Sequence, residues 1–329
     1  MTEGPNFECD NGISKTGMAC HIYAAATGPS ARRVNPEMSE EDLTDISNGI
    51  WMCYTHGKLI DTDESTYTVD QLKTWREVAE IRAKLWQQFG RGIELSPEHF
   101  TNIPLPKSKI SFESLGQENH LIGEAIYNSC TEQIWGKEES HAIRDVLIEV
   151  VRNAFEHGNA SNVEIEIAEN SIKVFDDGSS YDAAMLLEEA RKGGGFHSVH
   201  EITSRFSKNI YFTSVNDNEK NCHIFSVISS AKNIKDVTPC HIEISRDYYW
   251  GKEVDFKVAE YCKTVYVIFP KYFALSDALK LPVLINEHLP KGKELIFVGE
   301  HLSSRAVEIM TSELSSLGLE NIRIINFNR

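Results

Sequence analysis

The run from Ile143 to Phe155 constrains the fold of this chain more than any other segment. Ile143, Val146, Leu147, Val150, Val151, Ala154 and Phe155 recur at helical spacing, so one face of a helix must be buried. At the edge of that stripe stand Glu149 and Asn153, one turn apart on the same face. A carboxylate in that place can orient a water or take its proton. An amide oxygen can ligate a hard cation such as Mg2+, which takes few protein ligands and completes its shell with phosphate oxygens. Gly158 and Asn159 stop the helix.

The next forty residues extend the pattern. Val163 to Ile167 alternates like a half-buried strand, Asn170 and Ser171 make a turn, and Ile172 to Phe175 reads as the hairpin partner. Asp176 then falls at a strand end, where an acceptor can read the exocyclic amine of adenine, and Gly178 lets backbone approach the base. Gly193, Gly194 and Gly195 form a loop whose amides, with the N-terminus of a following helix, can cradle phosphates. Any one of these pieces also fits a solvated helix edge or an ordinary turn. The three in this order describe a nucleotide pocket. His157 lies in the last helical turn; it suits the helix dipole there and is also a candidate phosphate contact. No Gly-x-x-x-x-Gly-Lys-Ser/Thr run is present, which disfavours the P-loop class.

Residues 115 to 230 resemble the GHKL ATPase superfamily of gyrase, the Hsp-type chaperones, histidine kinases and mismatch-repair ATPases. The resemblance implies that Glu149 is the general base and Asn153 the Mg2+-binding asparagine. It implies that Asp176 and Gly178 read adenine and that Gly193 to Gly195 belong to a lid over ATP. One position departs: the second glycine of the Asp-x-Gly-x-Gly box is Ser180.

The first 85 residues carry a different set of chemical groups. Cys53 and His56 have the two-residue gap of a metal knuckle, and Cys20 and His21 precede them by about thirty residues, a donor set that suits tetrahedral Zn2+. The segment is similar to a bacterial subgroup of the HNH (ββα-metal) family. It carries His21-Ile22-Tyr23-Ala24-Ala25, Gly28-Pro29, Pro36 to Glu41, Asn48 to Cys53, Leu59-Ile60-Asp61 and Leu72-Lys73-Thr74-Trp75. In that resemblance Cys53 and His56 take the knuckle positions, His21 and Asn48 are retained, and Gly57 stands where the catalytic-metal histidine is expected. The upstream Cys-x-x-Cys is absent, leaving Cys9 or Cys20 as substitutes. A zinc-binding structural or recognition module is therefore expected ahead of a working nuclease, for which His21, Asn48 and His56 are the candidate residues.

Val69 to Phe89 has a helical pattern through Leu72, Trp75, Val78, Ile81, Leu85 and Trp86, closing the first module and leading away from it. Ser96-Pro97 and Pro104-Leu105-Pro106 read as a linker, and Leu121 to Ile134 as the first helix of the next domain. Near the end come strands at 263–269, 294–299 and 322–327 and helices at 275–289 and 303–317, which suggest a small parallel αβ layer. In related two-domain ATPases such a domain supplies a lysine to the γ-phosphate; Lys271 and Lys291 occupy loop positions, where a solvated lysine is the ordinary finding.

The expected fold is thus a mixed α+β and α/β multidomain chain. It comprises an HNH-like ββα module (1–88), a linker (89–114), a GHKL α/β sandwich (115–234) and a small C-terminal α/β domain (235–329). The length of 329 residues allows this. No apolar run of eighteen residues is present, the first residues do not read as a signal peptide, and seven cysteines suggest thiols or metal ligands in a reducing cytoplasm. A net charge of −16 argues against a broad nucleic-acid surface, though not against a local one on the first module. The expected function is an ATP- and Mg2+-dependent switch with slow hydrolysis. It would act as a homodimer on a protein partner or DNA through a Zn2+ module, and the resemblance points to antiviral defence. An ATP-gated DNA endonuclease is the alternative. A histidine-kinase-like phosphotransferase would need a substrate histidine on a dimerising hairpin, and none is seen before residue 115.

Overall fold

The computed structural model describes residues 3–5, 13–26, 28–29, 31–100, 102–180, 210–217, 220–250, 253–260, 262, 264–318 and 323–327, with single residues at 198, 200, 202, 205 and 206. Its internal contacts divide the chain into two units, Met1–Tyr181 with Asn216–Cys222, and Asp182–Val215 with His223–Arg329. Both mix helices and sheets, as the sequence suggests.

The first unit opens with a two-stranded ribbon, β1 (Glu3–Pro5) on β2 (Ile13–Lys15). A second ribbon pairs β3 (Gly17–His21) antiparallel with β4 (Gly49–Cys53), placing Met18 opposite Met52 and Cys20 opposite Ile50. Between them α1 (Glu40–Thr44) starts at a Ser39–Asp42 capping box, and after them comes α2 (Tyr54–Ile60). The order is ββα. Strand alternation sends Cys20, Ile50 and Met52 to one face, where they bury with Ile22, Ile60 and Leu72.

Helix α3 (Val69–Phe89) begins at Thr68, whose hydroxyl caps the Gln71 N–H, and has the bounds its periodicity predicts. It does more than lead away from the module. Gln71 Nε2 and Trp75 Nε1 both donate to the Asn128 carbonyl at 2.8 Å. That carbonyl ends α4 (Glu118–Asn128), where helical carbonyls lack partners of their own. The expected single helix over 121–134 is broken. Cys130 sits in the left-handed region at φ 58°, and a short α5 (Thr131–Ile134) restarts beyond it.

The segment 89–114 is not a bare linker. Leu105–Phe112 forms β5, antiparallel to β6 (Val163–Glu169), which in turn pairs antiparallel with β7 (Ser171–Asp176). Pro106 is tolerated because β5 is an edge strand and its register shifts between Leu105 and Ser108, where a residue without an N–H does no harm. The sheet order is β5–β6–β7–β9–β8, with β8 (Ile210–Asp217) and β9 (Lys220–Val227), of which residues 216–217 and 220–222 belong to the first unit. Helix α6 (Lys137–Glu156) packs on α4 and α5 and buries Ile143, Val146, Leu147, Val150, Val151 and Ala154, the predicted stripe apart from Phe155.

The second unit contains a four-stranded parallel sheet, β10 (His241–Glu243), β11 (Thr264–Ile268), β12 (Glu294–Glu300) and β13 (Arg323–Phe327), in that order. Helix α7 (Ala231–Val237) precedes it, and α8 (Leu275–Ile285) and α9 (Ser304–Ser316) connect its strands. Val265, Val267 and Phe297 pack with Ala278, Leu281, Ala306 and Met310 on one face. Tyr266, Ile268, Ile296 and Val298 pack with Ile228 and Ile234 on the other, as expected of a sheet covered on both sides. The predicted parallel layer is present, with β10 as an added edge strand. Cys240 and Cys262 form a disulfide, so these two of the seven cysteines are neither thiols nor metal ligands. No helix among the described residues is long and apolar enough to cross a membrane.

Candidate nucleotide site

The last turn of α6 carries the first group of candidate residues. Asn153 is the anchor of the helix end: its carbonyl accepts from the N–H of both His157 (3.0 Å) and Gly158 (2.9 Å). Its side-chain Nδ2 is buried and has no hydrogen-bond partner among the described residues. A buried, unsatisfied amide costs about 1–3 kcal/mol, so its persistence calls for an explanation in ligand or function. His157, the residue that follows α6, is exposed.

Glu149 is held from two residues beyond the motif. Arg152 Nη1 donates to Glu149 Oε1 at 3.1 Å, Nε donates to Glu118 Oε1 at 3.1 Å, and Nη2 donates to Asn119 Oδ1 at 3.2 Å. Glu118 is buried at the start of α4 and also accepts from the Gly116 N–H at 2.7 Å. That backbone bond, more than Arg152, holds its carboxyl below the usual range. The general-base candidate is therefore fixed in place by a guanidinium that is itself fixed to α4.

The second group sits at the end of β7. Inward alternation buries Asp176, which is 2% exposed, and leaves Asp177 outside. Asp177 accepts from the Ser161 hydroxyl and from the N–H groups of Ser161 (2.8 Å) and Asn162 (3.0 Å). The Ser161 hydroxyl is the first reason its carboxyl lies below the ordinary range. Of the two adjacent acids, one ties a loop and the other faces inward. Asp176 Oδ1 accepts from the Gly178 N–H at 3.0 Å and from Asn221 Nδ2 at 2.8 Å.

The two groups, some twenty residues apart in sequence, meet at glycines. The Gly158 carbonyl after α6 accepts from the Ser179 N–H at 2.7 Å. A Cβ on Gly178 would stand 2.7 Å from that same carbonyl oxygen, so position 178 admits no side chain without moving backbone. Asn153 is tied to Gly158 through its own carbonyl, so a run of backbone hydrogen bonds links Asn153, Gly158 and the Asp176–Ser179 loop, with Glu149 one turn earlier on α6. Gly193, Gly194 and Gly195 lie outside the described residues. Sequence reasoning missed Arg152, Glu118 and Asn221. Arg152 was within reach as the i+3 neighbour of Glu149, whereas Asn221 is 45 residues from Asp176 and carries no local signal.

The metal candidates of the ββα module are only partly assembled. Cys53 Sγ lies 3.1 Å from His56 Nδ1. Cys20 is buried on the inner face of β3, and His21, its neighbour, is exposed on the outer face. Cys9 lies outside the described residues. Among the described residues no group of three or more His, Cys, Asp or Glu is arranged to hold a metal. Asn48 is buried, with its amide committed to the Tyr23 N–H (2.8 Å) and to the carbonyls of Tyr23 and Leu43 (2.9 Å each). It ties the loop between the strands. Residue 57 faces inward: a Cβ there would meet Met18 Sδ at 2.8 Å and Cys20 Sγ at 3.0 Å. A side chain at position 57 would have to displace the end of the Met18 side chain between α2 and β3. Beside the Cys53–His56 pair a cavity of about 340 Å³ is walled by Trp51, Tyr67, Trp75, Arg82 and Tyr127. In the second unit Lys271 and Lys291 are exposed. Neither the scan against protein-family models nor the search of curated proteins finds a match to this chain.

Proposed function

We propose that the first unit binds an adenine nucleotide with Mg2+ in the manner of the GHKL ATPases, and that the chain works as a nucleotide-dependent switch with slow hydrolysis. The observation that carries this reading is the buried Nδ2 of Asn153, unpartnered among the described residues, one turn from Glu149 and on a helix whose end is clasped to the Asp176–Ser179 loop. The donor set suits the ligand. An amide whose Nδ2 has no bond can turn its oxygen to a hard cation, and a single protein oxygen is what Mg2+ takes when phosphates supply the rest. The bound ion neutralises phosphate charge. Asp176 reads the base, and the glycines at 158 and 178 let backbone approach it. Glu149, held by Arg152, orients the attacking water and takes its proton. The ββα module, joined to α4 through Gln71 and Trp75, is the proposed output element, and antiviral defence is the setting that its resemblance suggests.

Calorimetry with Mg-ATP and Mg-ADP tests the reading. Wild type binds both; Asn153→Ala abolishes Mg-dependent binding; Glu149→Ala binds ATP and loses phosphate release. Wild-type protein blind to ATP and ADP would overturn it.

A further inference from the structure

We propose that the cavity beside Cys53 is a binding site for a small aromatic anion, a planar ring that carries a carboxylate or a phosphate. The site is separate from the nucleotide pocket, and the inference stands apart from that reading. All of its walls belong to the first unit. Trp75 and Arg82 stand seven residues apart on α3, so both fall on one helix face. Trp51 comes from β4 and Tyr127 from the end of α4. The rings of His56 and Tyr67 are turned at 84° and 65° to that of Trp75, so these aromatic walls stand at steep angles instead of in one plane. Trp51 is 52% exposed and Tyr127 71%, which leaves much of both rings open to water. A volume of about 340 Å³ with mostly aromatic and apolar walls is that of a small-molecule pocket.

Ring faces attract planar ligands and cations alike, so the other groups in the wall decide the charge of the occupant. Among the described residues no Asp or Glu lines the cavity, whereas Arg82 does. Its half-buried guanidinium lies 5.9 Å from the centre of the Trp86 ring and has no carboxylate partner among the described residues. Burial pushes the thiol of Cys130, which also lines the cavity, up to about 11, and the charge of Arg82 opposes that rise. A backbone carbonyl is the other group that holds a cation. The carbonyl of Asn128 already accepts from Gln71 Nε2 and Trp75 Nε1, both at 2.8 Å, which fills its two lone-pair directions. A cation entering here meets a like charge, while an anion meets a planar fork of donors shaped for carboxylate or phosphate. The net charge of −16 disfavours a long polyanion such as a nucleic-acid strand and favours a small acid.

The test uses three probes of one shape: 2-naphthoate, neutral 2-naphthamide and cationic 2-naphthylmethylamine. Each is titrated into the full chain by calorimetry, for wild type and Arg82→Gln, with a thermal melt to show that the variant is folded. A second readout places the ligand: the rate at which neutral iodoacetamide alkylates Cys53, in a Cys9→Ser background. The expected order is naphthoate tightest and the amine weakest, with naphthoate slowing alkylation severalfold. Arg82→Gln weakens naphthoate about tenfold or more, as loss of a charge-assisted bond does, and leaves naphthamide unchanged. If Arg82→Gln does not fold, Tyr127→Ala serves, since Tyr127 is exposed; it weakens naphthoate and naphthamide together. The inference is overturned if wild type binds naphthamide or the amine as well as naphthoate, if bound naphthoate leaves the Cys53 rate unchanged, or if the folded variants bind like wild type. Protection of Cys53 by an eight-residue oligo-dT and not by naphthoate overturns it in favour of a single strand.

Discussion

Gly178→Ala is the substitution that most directly examines the clasp between α6 and β7. A Cβ on residue 178 would lie 2.7 Å from the Gly158 carbonyl oxygen and 3.0 Å from Asp176 Oδ1. Ordinary contact begins at 3.4 Å, so the first distance is 3.4 − 2.7 = 0.7 Å too short. The first obstacle is backbone, which cannot swing aside like the end of a side chain. Relief requires the 178–179 loop to move, and three hydrogen bonds span the shift: Ser179 N–H to Gly158 O, Gly178 N–H to Asp176, and Asn221 to Ser179 O. Overpacking costs about 1–3 kcal/mol, and each weakened hydrogen bond costs up to about 1 kcal/mol. A total near 2–3 kcal/mol lowers Tm by roughly 5–10 °C in a unit of this size. Affinity for ADP falls at least about tenfold, since Asp176 is displaced with the loop. Gly123→Ala is the control. Gly123 lies within α4, and a Cβ there meets nothing within 4 Å. Alanine in place of glycine at an open helical position stabilises by about 0.5–1 kcal/mol, so this variant melts at or above wild type and binds ADP normally. Differential scanning calorimetry and ADP titration of the two variants decide the matter. If Gly178→Ala melts and binds like Gly123→Ala, the close approach does not exist and the reasoning from it fails.

The two kinds of cysteine give further checks. Cys20, Cys130 and Cys222 are buried, and burial pushes the Cys130 thiol up to about 11, whereas Cys53 is half-exposed beside the cavity. In a Cys9→Ser background, Ellman's reagent therefore labels one thiol quickly in the native protein, Cys53, and the others only on unfolding; fast labelling that survives Cys53→Ser contradicts the packing of β3 on α2. Dithiothreitol opens the Cys240–Cys262 bridge, which spans 22 residues, and removes about 3 kcal/mol from the second unit. The transition belonging to the αβ layer should move down by several degrees while ADP affinity stays constant, and an unchanged melt would show that the bridge contributes no stability.

Where local periodicity decides structure, the residues could be read directly. The stripe of α6, the full length of α3 and the presence of the β6–β7 hairpin come from spacing alone, because each element buries one face and that face repeats with the element's own period. The failures have equally local causes. Pro104 and Pro106 look like breakers until β5 is known to be an edge strand with a register shift. Cys130 ends α4 in a left-handed conformation that a non-glycine residue does not advertise. The bridge from Cys240 to Cys262 has no signature, since spacing does not reveal pairing. Cys20 and His21, read as donors from their spacing to Cys53 and His56, stand on opposite faces of β3. Strand alternation applied to Gly17–His21 would have separated them. Asn221 was beyond reach in principle: its role exists only because the sheet brings β9 beside β7.

The helix that links the acid of the nucleotide motif to the ββα module is α4, anchored at both ends. At its start Glu118 holds Arg152, which holds Glu149. At its end the Asn128 carbonyl takes Gln71 and Trp75 of α3. Eleven residues make a rod of about 16 Å. Within the proposed reading, a nucleotide that draws Glu149 toward its phosphates pulls on Arg152 and so on the first residue of this rod. The module at the far end is released only if the two bonds on Asn128 are broken, at about 1 kcal/mol each. A ligand with some thirtyfold preference for the released arrangement supplies that much, since each 1.4 kcal/mol is tenfold. Coupling of this size is ordinary for allosteric proteins. It requires no movement of the α6 core, whose packed stripe is the costliest part of the unit to disturb.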